Sequence, residues 1–300
     1  MMKRREFIHK TILGTAAVSL APSLLAQEAS KKQRLTILHT NDTHSNIDPF
    51  PVNHAKFPGQ GGVSRRYDMI RQIRQEEEHV LLLDAGDIFQ GTPYFNRFGG
   101  ELEMKVMTKM KYDAATMGNH DFDGGMDGFL KAKQHAEFPF LCANYDFKNT
   151  LLDGQTQEST IFRKGGLKIG VFGVGVELKG LVPDKLFGET KYLDPIERAQ
   201  DMVAKLEDAN CDLIICLSHL GYEYQSDKIS DRVLAKKTKG IDLIIGGHTH
   251  TFLEKPTQEL NLDGKITLIN QVGWAGLNLG RIDFDVEKKY FTKKEVIEIK

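Results

Sequence analysis

Five short segments carry imidazole, carboxylate and carboxamide side chains of the kinds that bind divalent metals: Asn41-Asp42-Thr43-His44, Asp84-Ala85-Gly86-Asp87, Asn119-His120-Asp121-Phe122-Asp123, Ser218-His219 and His248-Thr249-His250. Any one alone is ordinary turn chemistry, because Asp and Asn hydrogen-bond their own backbone and tolerate left-handed conformations. Five together form a constellation. Nitrogen and oxygen donors without thiolate accommodate Zn, Mn, Fe or Co and do not select among them. Asp42 with His44, and His248 with His250, share an i, i+2 spacing, which on extended chain turns both side chains to one side, toward a common ion. Gly86, Gly118, Gly246 and Gly247 flank these segments and allow close backbone approach or positive φ. The remaining histidines, His9, His39, His54, His79 and His135, are assigned no chemistry, although His39 is placed to support a ligand from behind.

Each segment follows a short apolar run, and most of these runs are rich in β-branched residues: Leu35–Leu38, Val80–Leu83, Asp113–Met117, Leu213–Cys216 and Leu243–Ile245, with a further run over Lys168–Gly173. Near-continuous apolar runs of this length are what strands covered on both faces require. Helical patterns lie between several of them. The clearest follows Asp194-Pro195, an N-cap and a first-turn proline, with Ile196, Ala199, Val203 and Leu206 on one face; others start near Val63 and Glu101. Strand-rich sequence returns over Ile266–Asn270, Leu279–Val286 and Tyr290–Ile299. The pattern predicts an α/β or α+β domain of layered sheets. Its functional segments would lie at the carboxyl ends of strands, where diverging loops leave a crevice.

With 300 residues, 40% hydrophobic, and a formal net charge of -1, the chain shows no bias toward nucleic-acid polymers or anionic membranes. The N-terminus is separate in character. Lys3-Arg4-Arg5-Glu6-Phe7-Ile8 is basic, Thr11 to Leu25 is uncharged and largely apolar, and Ala26 offers a small residue for cleavage. This predicts an export signal over 1–26 of twin-arginine type, with the twin-arginine machinery as partner and the periplasm as destination. An uncleaved segment tethering the chain to the membrane is the alternative. Residues 27–300 then form one domain. Cys142, Cys211 and Cys216 lie in or beside apolar runs and are expected as buried thiols, with a Cys211–Cys216 bridge as the lesser reading.

The ordered set Ile37-Leu-His-Thr-Asn-Asp-Thr-His44, Gly61-Gly-Val-Ser-Arg-Arg66, Gly86-Asp87, Tyr112-Asp-Ala-Ala-Thr-Met-Gly-Asn-His-Asp-Phe-Asp123 and Gly247-His-Thr-His250 resembles the calcineurin-like metallophosphoesterases. Within them it is most similar to the catalytic domain of 5'-nucleotidases. The resemblance implies a four-layer α/β/β/α sandwich of two mixed sheets with a dimetal site at the strand ends. It implies Asp42, His44, Asp87 and His250 as ligands of one divalent ion and Asp87, Asn119, His219 and His248 as ligands of the other. Two such ions, roughly 3.5–4 Å apart, lower the pKa of a bound water and neutralise phosphate charge. Asn119 and His120 then face substrate, with His120 as the proton donor held by a carboxylate. In 5'-nucleotidases that partner is three residues on, here Asp123; in other branches it directly follows the histidine, here Asp121.

The implied reaction is hydrolysis of nucleotide-type phosphomonoesters. Phosphodiesters such as 2',3'-cyclic nucleotides, sugar phosphates, thiosulfohydrolase-like sulfur esters and a non-catalytic binding role are the alternatives. Family members continue into a nucleoside-holding second domain, whereas this chain reaches only Lys300. A separate substrate-recognition subunit is therefore considered as a partner, and Trp274 stands as the candidate stacking residue, or else as a packing residue of its loop.

Overall fold

Two mixed sheets packed face to face organise the computed structural model, which describes residues 34–300. The expected export signal lies outside the described residues. The first sheet contains β1 (Arg34–Thr40), β2 (His79–Asp84), β3 (Ala114–Ala115), β12 (Asn278–Asp285) and β13 (Tyr290–Glu298), in the order β13-β12-β1-β2-β3. The second contains β5 (Ser159–Lys164), β6 (Leu167–Gly175), β8 (Leu213–His219), β9 (Leu243–Gly246), β10 (Thr257–Leu260) and β11 (Ile266–Asn270), in the order β10-β11-β9-β8-β6-β5. β4 (Tyr145–Asp146) and β7 (Lys191–Tyr192) form a small ribbon apart. Strands β1, β2 and β3 run parallel, as do β6, β8, β9 and β11.

Alternation along the strands sorts side chains between layers. Leu35 and Ile37 of β1, with Leu81 and Leu83 of β2, meet Ile169, Val171, Ile215, Leu217 and Ile245 of the second sheet between the two sheets. Leu38 and Leu82 point the other way, against Ile70 and Ile73 of α1 (Val63–Glu76), Met104 and Met107 of α3 (Glu101–Met110) and Phe129 of α4 (Gly125–Lys133). On the far side, Phe172, Ile214, Cys216 and Ile244 pack against Ala199, Met202, Val203 and Leu206 of α6 (Pro195–Asp208) and Leu234 of α7 (Asp231–Lys237). The layers are therefore helix, sheet, sheet, helix. Fully burying a Leu or Ile side chain contributes about 1.5–3 kcal/mol, so these three clusters hold the strand ends in fixed relation.

Local sequence explains the clearest helix. Asp194 caps α6 by accepting the N–H of Ile196 at 2.7 Å and of Glu197 at 3.2 Å, and Pro195 occupies its first turn. The short helices α2 (Pro93–Phe98) and α5 (Asp184–Phe187) complete the set. Cys142 and Cys216 are buried, Cys211 is half-buried, and all three are free thiols, so the Cys211–Cys216 bridge does not form. Burial pushes the Cys142 thiol up to about 12, which keeps it inert.

Candidate dimetal site

Five of the seven expected ligands sit in left-handed backbone: Asp42 (φ 50), His44 (φ 46), Asp87 (φ 55), His248 (φ 74) and His250 (φ 53). The i, i+2 pairs therefore do not converge through extended-chain alternation, as their spacing predicts, but through tight turns just beyond the strands. Non-glycine residues with positive φ are uncommon, and a cluster of them persists only where surrounding contacts over-determine the loops. Those contacts are visible. Asp42 N–H donates to Gly86 O (2.9 Å), His44 N–H to Asp87 O (3.0 Å) and Ser45 N–H to Ile88 O (2.9 Å), zipping the loop after β1 to the loop after β2. Asp42 also accepts the N–H of His248 at 2.9 Å, tying in the loop after β9.

Two glycines let these loops close. A Cβ on Gly118 would overlap Asp87 Oδ1 and lie 2.6 Å from Asp87 N, and one on Gly247 would lie 2.8 Å from His219 Nδ1. Gly118→Ala is expected to displace the Asp87 carboxylate and to destabilise the fold by about 1–3 kcal/mol, the usual cost of overpacking. Metal analysis and thermal unfolding check this, and unchanged metal content with unchanged stability would contradict it.

Donor atoms of Asp42, His44, Asp87 and His250 form one group within 4.8 Å of one another, and those of Asp87, His219 and His248 form a second. Asp87 belongs to both. Nε2 of His44 lies 2.9 Å from Nε2 of His250, and Nε2 of His219 lies 3.1 Å from Asp87 Oδ2. Backbone carbonyls set the tautomers, since His44 Nδ1 faces Phe89 O at 3.2 Å and His219 Nδ1 faces Ala85 O at 2.7 Å. A ring that donates Nδ1–H in this way presents the Nε2 lone pair to the cluster. Both His219 Nε2 and Asn119 Oδ1 are buried without a directed hydrogen-bond partner. Leaving a buried polar atom unsatisfied costs about 1–3 kcal/mol, and lone pairs facing lone pairs add repulsion. A pair of divalent cations satisfies both deficits, so the donor set fits two metal ions.

Protonation agrees. Burial lowers the pKa of His44, brings His248 down to about 3 and brings His250 down to about 4, holding these rings in the neutral, ligating form. Burial alone would raise Asp87, but the nearby His219, His44 and His120 hold it below its ordinary value, so the shared carboxylate stays ionised. Burial also opposes a charge on His219, yet Asp87 and Asp42 push it up to about 10. Metal binding would displace that proton.

His120 stands beside this cluster. Its N–H donates to Asp87 Oδ1 at 2.8 Å, and its ring centroid is 5.2 Å from that of His44. Residues His120–Phe122 form a 3₁₀ turn, in which positions i and i+3 eclipse. The turn sets Asp123 against the imidazole, with Nδ1 2.8 Å from Asp123 Oδ2. The hydrogen bond to Asp123 is the main reason the His120 pKa is raised; burial opposes it, and the Asp87 charge assists. Asp121 does not touch the ring. Its buried carboxylate accepts the backbone N–H groups of Asp87 (3.0 Å), Ile88 (2.9 Å), Phe89 (3.2 Å) and Gly118 (2.8 Å), and so positions the loop that carries Asp87.

Trp274, open between stacking and packing from sequence, stacks on His250 with centroids 5.8 Å apart and planes 7° apart. His39 contacts Asn270 Nδ2 at 2.8 Å, lies against Gly280, and is held neutral by burial. Sequence reasoning missed Asn41 and Gln271. Asn41 Nδ2 donates to Asp42 Oδ2 (2.6 Å) and Gly273 O (2.7 Å), while Gln271 Nε2 donates to Gly247 O (2.5 Å) and its Oε1 accepts from Thr251 N–H. Asn41 has a signal in its place next to Asp42; Gln271 has none.

Layered sheets closing on a shared-carboxylate cluster place this chain in the calcineurin-like phosphoesterase family, whose family model matches residues 35–252. Among sequence relatives, snake venom 5'-nucleotidase of Crotalus adamanteus is 38% identical over 226 residues, covering 73% of this chain and 37% of that protein. The 5'-nucleotidase of Homo sapiens is 36% identical, covering 90% of this chain and 50% of that protein. The crystal structure of a 5'-nucleotidase precursor from Thermus thermophilus superposes with a TM-score of 0.78 at 31% identity, covering 89% of this chain and 54% of that one. The chain thus spans about half the length of the human and Thermus proteins, and less of the venom enzyme. Among the described residues, no helix is long and apolar enough to cross a membrane.

Proposed function

We propose that this chain hydrolyses phosphate monoesters of the nucleotide type with two divalent metal ions. The observation that carries this reading is one carboxylate, Asp87, shared by two donor groups, with the His120–Asp123 pair hydrogen-bonded at its edge. Asp42, His44, Asp87 and His250 would hold one ion, and Asp87, Asn119, His219 and His248 the other. Such ions, when bound, supply charge neutralisation at the phosphoryl group and activation of water. The chain's own residues do the rest. Asp121 holds the Asp87 loop in place, and His44 and His219 are oriented by carbonyls. His120 holds a proton through Nδ1 against Asp123, leaving Nε2 as the atom that protonates the departing alkoxide. The similarity to the venom and human 5'-nucleotidases supports nucleotides as the substrate class. Export to the periplasm is part of the same reading and rests on Lys3 to Ala26 of the sequence alone.

A panel of monoesters, diesters and sugar phosphates, offered to the protein reconstituted with Mn, Zn, Co or Fe, tests the proposal. Phosphate release from nucleoside monophosphates, abolished by a chelator, is expected; inertness toward the whole panel would overturn it.

The two aspartates separate by pH profile. His120 must carry its proton to act, so turnover falls as pH rises through its pKa. Asp123→Asn removes the largest contribution raising that pKa and is expected to move the alkaline fall to lower pH. Asp121→Asn should move the fall less, since its charge raises that pKa only as the smallest of the causes, and should lower stability by about 1–3 kcal/mol, because an amide NH₂ would confront backbone N–H groups. Equal displacement of both profiles would contradict the assignment.

A further inference from the structure

The chain between His44 and α1 is a long loop without helix or strand, running over residues 45–62. Structureless loops beyond about 12–15 residues are uncommon in compact domains and are usually functional. This one is not slack. Val63 N–H donates to Ile47 O (2.9 Å) and Phe50 N–H to Gln60 O (2.8 Å), so its ends are drawn together as in an Ω-loop. Its own rings fill it. His54 lies 4.7 Å from Phe50 and 5.8 Å from Phe57, nearly parallel to the latter at 9°, and His54 Nδ1 accepts the Phe57 N–H at 2.9 Å.

The loop docks on the candidate site. Phe57 stacks with Phe252 (6.2 Å, 22°), and Phe50 meets Trp274 edge-on (6.1 Å, 70°). Phe252 follows His250 by two residues and is held beside Trp274 by an antiparallel bridge to Val272. Its ring lies directly over Gly273, where any Cβ would collide with it. Trp274 in turn stacks on His250. Three chain segments thus converge to fix aromatic rings next to the polar metal-type cluster, yet Phe252 remains 44% exposed. Phe50, Phe57 and Trp274 are half-buried, and Lys56 Nζ lies 5.2 Å from the Phe57 ring centroid.

We propose that these rings, led by Phe57, Phe252 and Trp274, form a stacking shelf for the base of a nucleoside phosphate whose phosphate group lies at the dimetal site. This rests on the function proposed above and names the part of the substrate that the shelf selects. The exposed Phe252 ring, backed by Phe57, offers a π-face to a flat ring, and the stacking of Trp274 on His250 places the shelf beside the metal-type cluster, where an anionic group of the same ligand would lie. Stacking on aromatic side chains is tolerant of base identity, because every base has a π-face. The shelf therefore predicts preference for nucleotides over sugar phosphates, with little choice among bases.

Trp274 is the only tryptophan in the chain, so its emission reports on the shelf without reference to turnover. AMP, adenosine and ribose 5-phosphate are titrated into the full chain. AMP and adenosine are expected to change the emission saturably, and ribose 5-phosphate is not. Phe57→Ala and Phe252→Ala, at a half-buried and an exposed position, are expected to weaken AMP binding about tenfold, in line with the loss of one stacking partner. The kcat/KM ratio of AMP to ribose 5-phosphate should fall with it, mainly through KM. Hydrolysis of AMP without any change in Trp274 emission, or an unchanged ratio in both variants, would overturn the shelf while supporting the hydrolase. Saturable quenching by AMP in a protein that releases no phosphate would overturn the hydrolase and leave base binding standing. Neither quenching nor hydrolysis would overturn both.

Discussion

Asp87→Asn is expected to strip both metal positions at once. Its carboxylate is the one group common to the two donor clusters, and among its neighbours it lies 3.1 Å from His219 Nε2 and 3.7 Å from His44 Nε2. Replacing it with an amide would remove the one negative charge shared by the two proposed ions and would turn one donor oxygen into a nitrogen with no lone pair to offer. Loss of a partner that merely supports a ligand costs about 10–100-fold in metal affinity. Loss of the shared ligand should therefore exceed about 100-fold at each position. The backbone should survive, since Asp121 accepts the Asp87 N–H and not its side chain. Titration calorimetry and metal analysis check the result; retention of two ions at wild-type affinity would contradict the bridge.

His120→Asn should show the opposite pattern, with full metal content and turnover lowered by about 10²–10⁴, the range for a lost general acid. His120 meets the cluster through its backbone N–H to Asp87, which any residue but proline retains, and through an edge-on ring contact with His44 that supplies no donor atom to either group. Its ring is 38% exposed and held by Asp123, outside both donor groups. Loss of metal in this variant would show that His120 supports the ligands rather than moving a proton.

The central strands are legible because β1, β2, β8 and β9 are covered on both faces and each carries a short run dominated by apolar residues. The edge strands β5 and β10 are not, since each mixes exposed and half-buried positions and offers no continuous apolar run. The candidate ligands stand out by residue type at strand ends, but the spacing rule that grouped them assumed extended backbone. Left-handed turns at Asp42, His44, His248 and His250 bring them together instead, which only the hydrogen bonds between loops explain. Residue type alone does not distinguish Asp121 from Asp123, although the resemblance to 5'-nucleotidases points to Asp123; a single 3₁₀ turn sets Asp123 against the ring. The aromatic loop has no periodicity to reveal it: Phe50, His54 and Phe57 become neighbours only when Val63 closes on Ile47.

Anomalous diffraction from crystals loaded with Mn or Zn tests the shared-carboxylate site most directly. Two peaks are expected to flank the Asp87 carboxylate, one within ligand distance of Asp42, His44 and His250 and the other of Asn119, His219 and His248. A single peak, or two peaks of which one lies out of reach of Asp87, would contradict it.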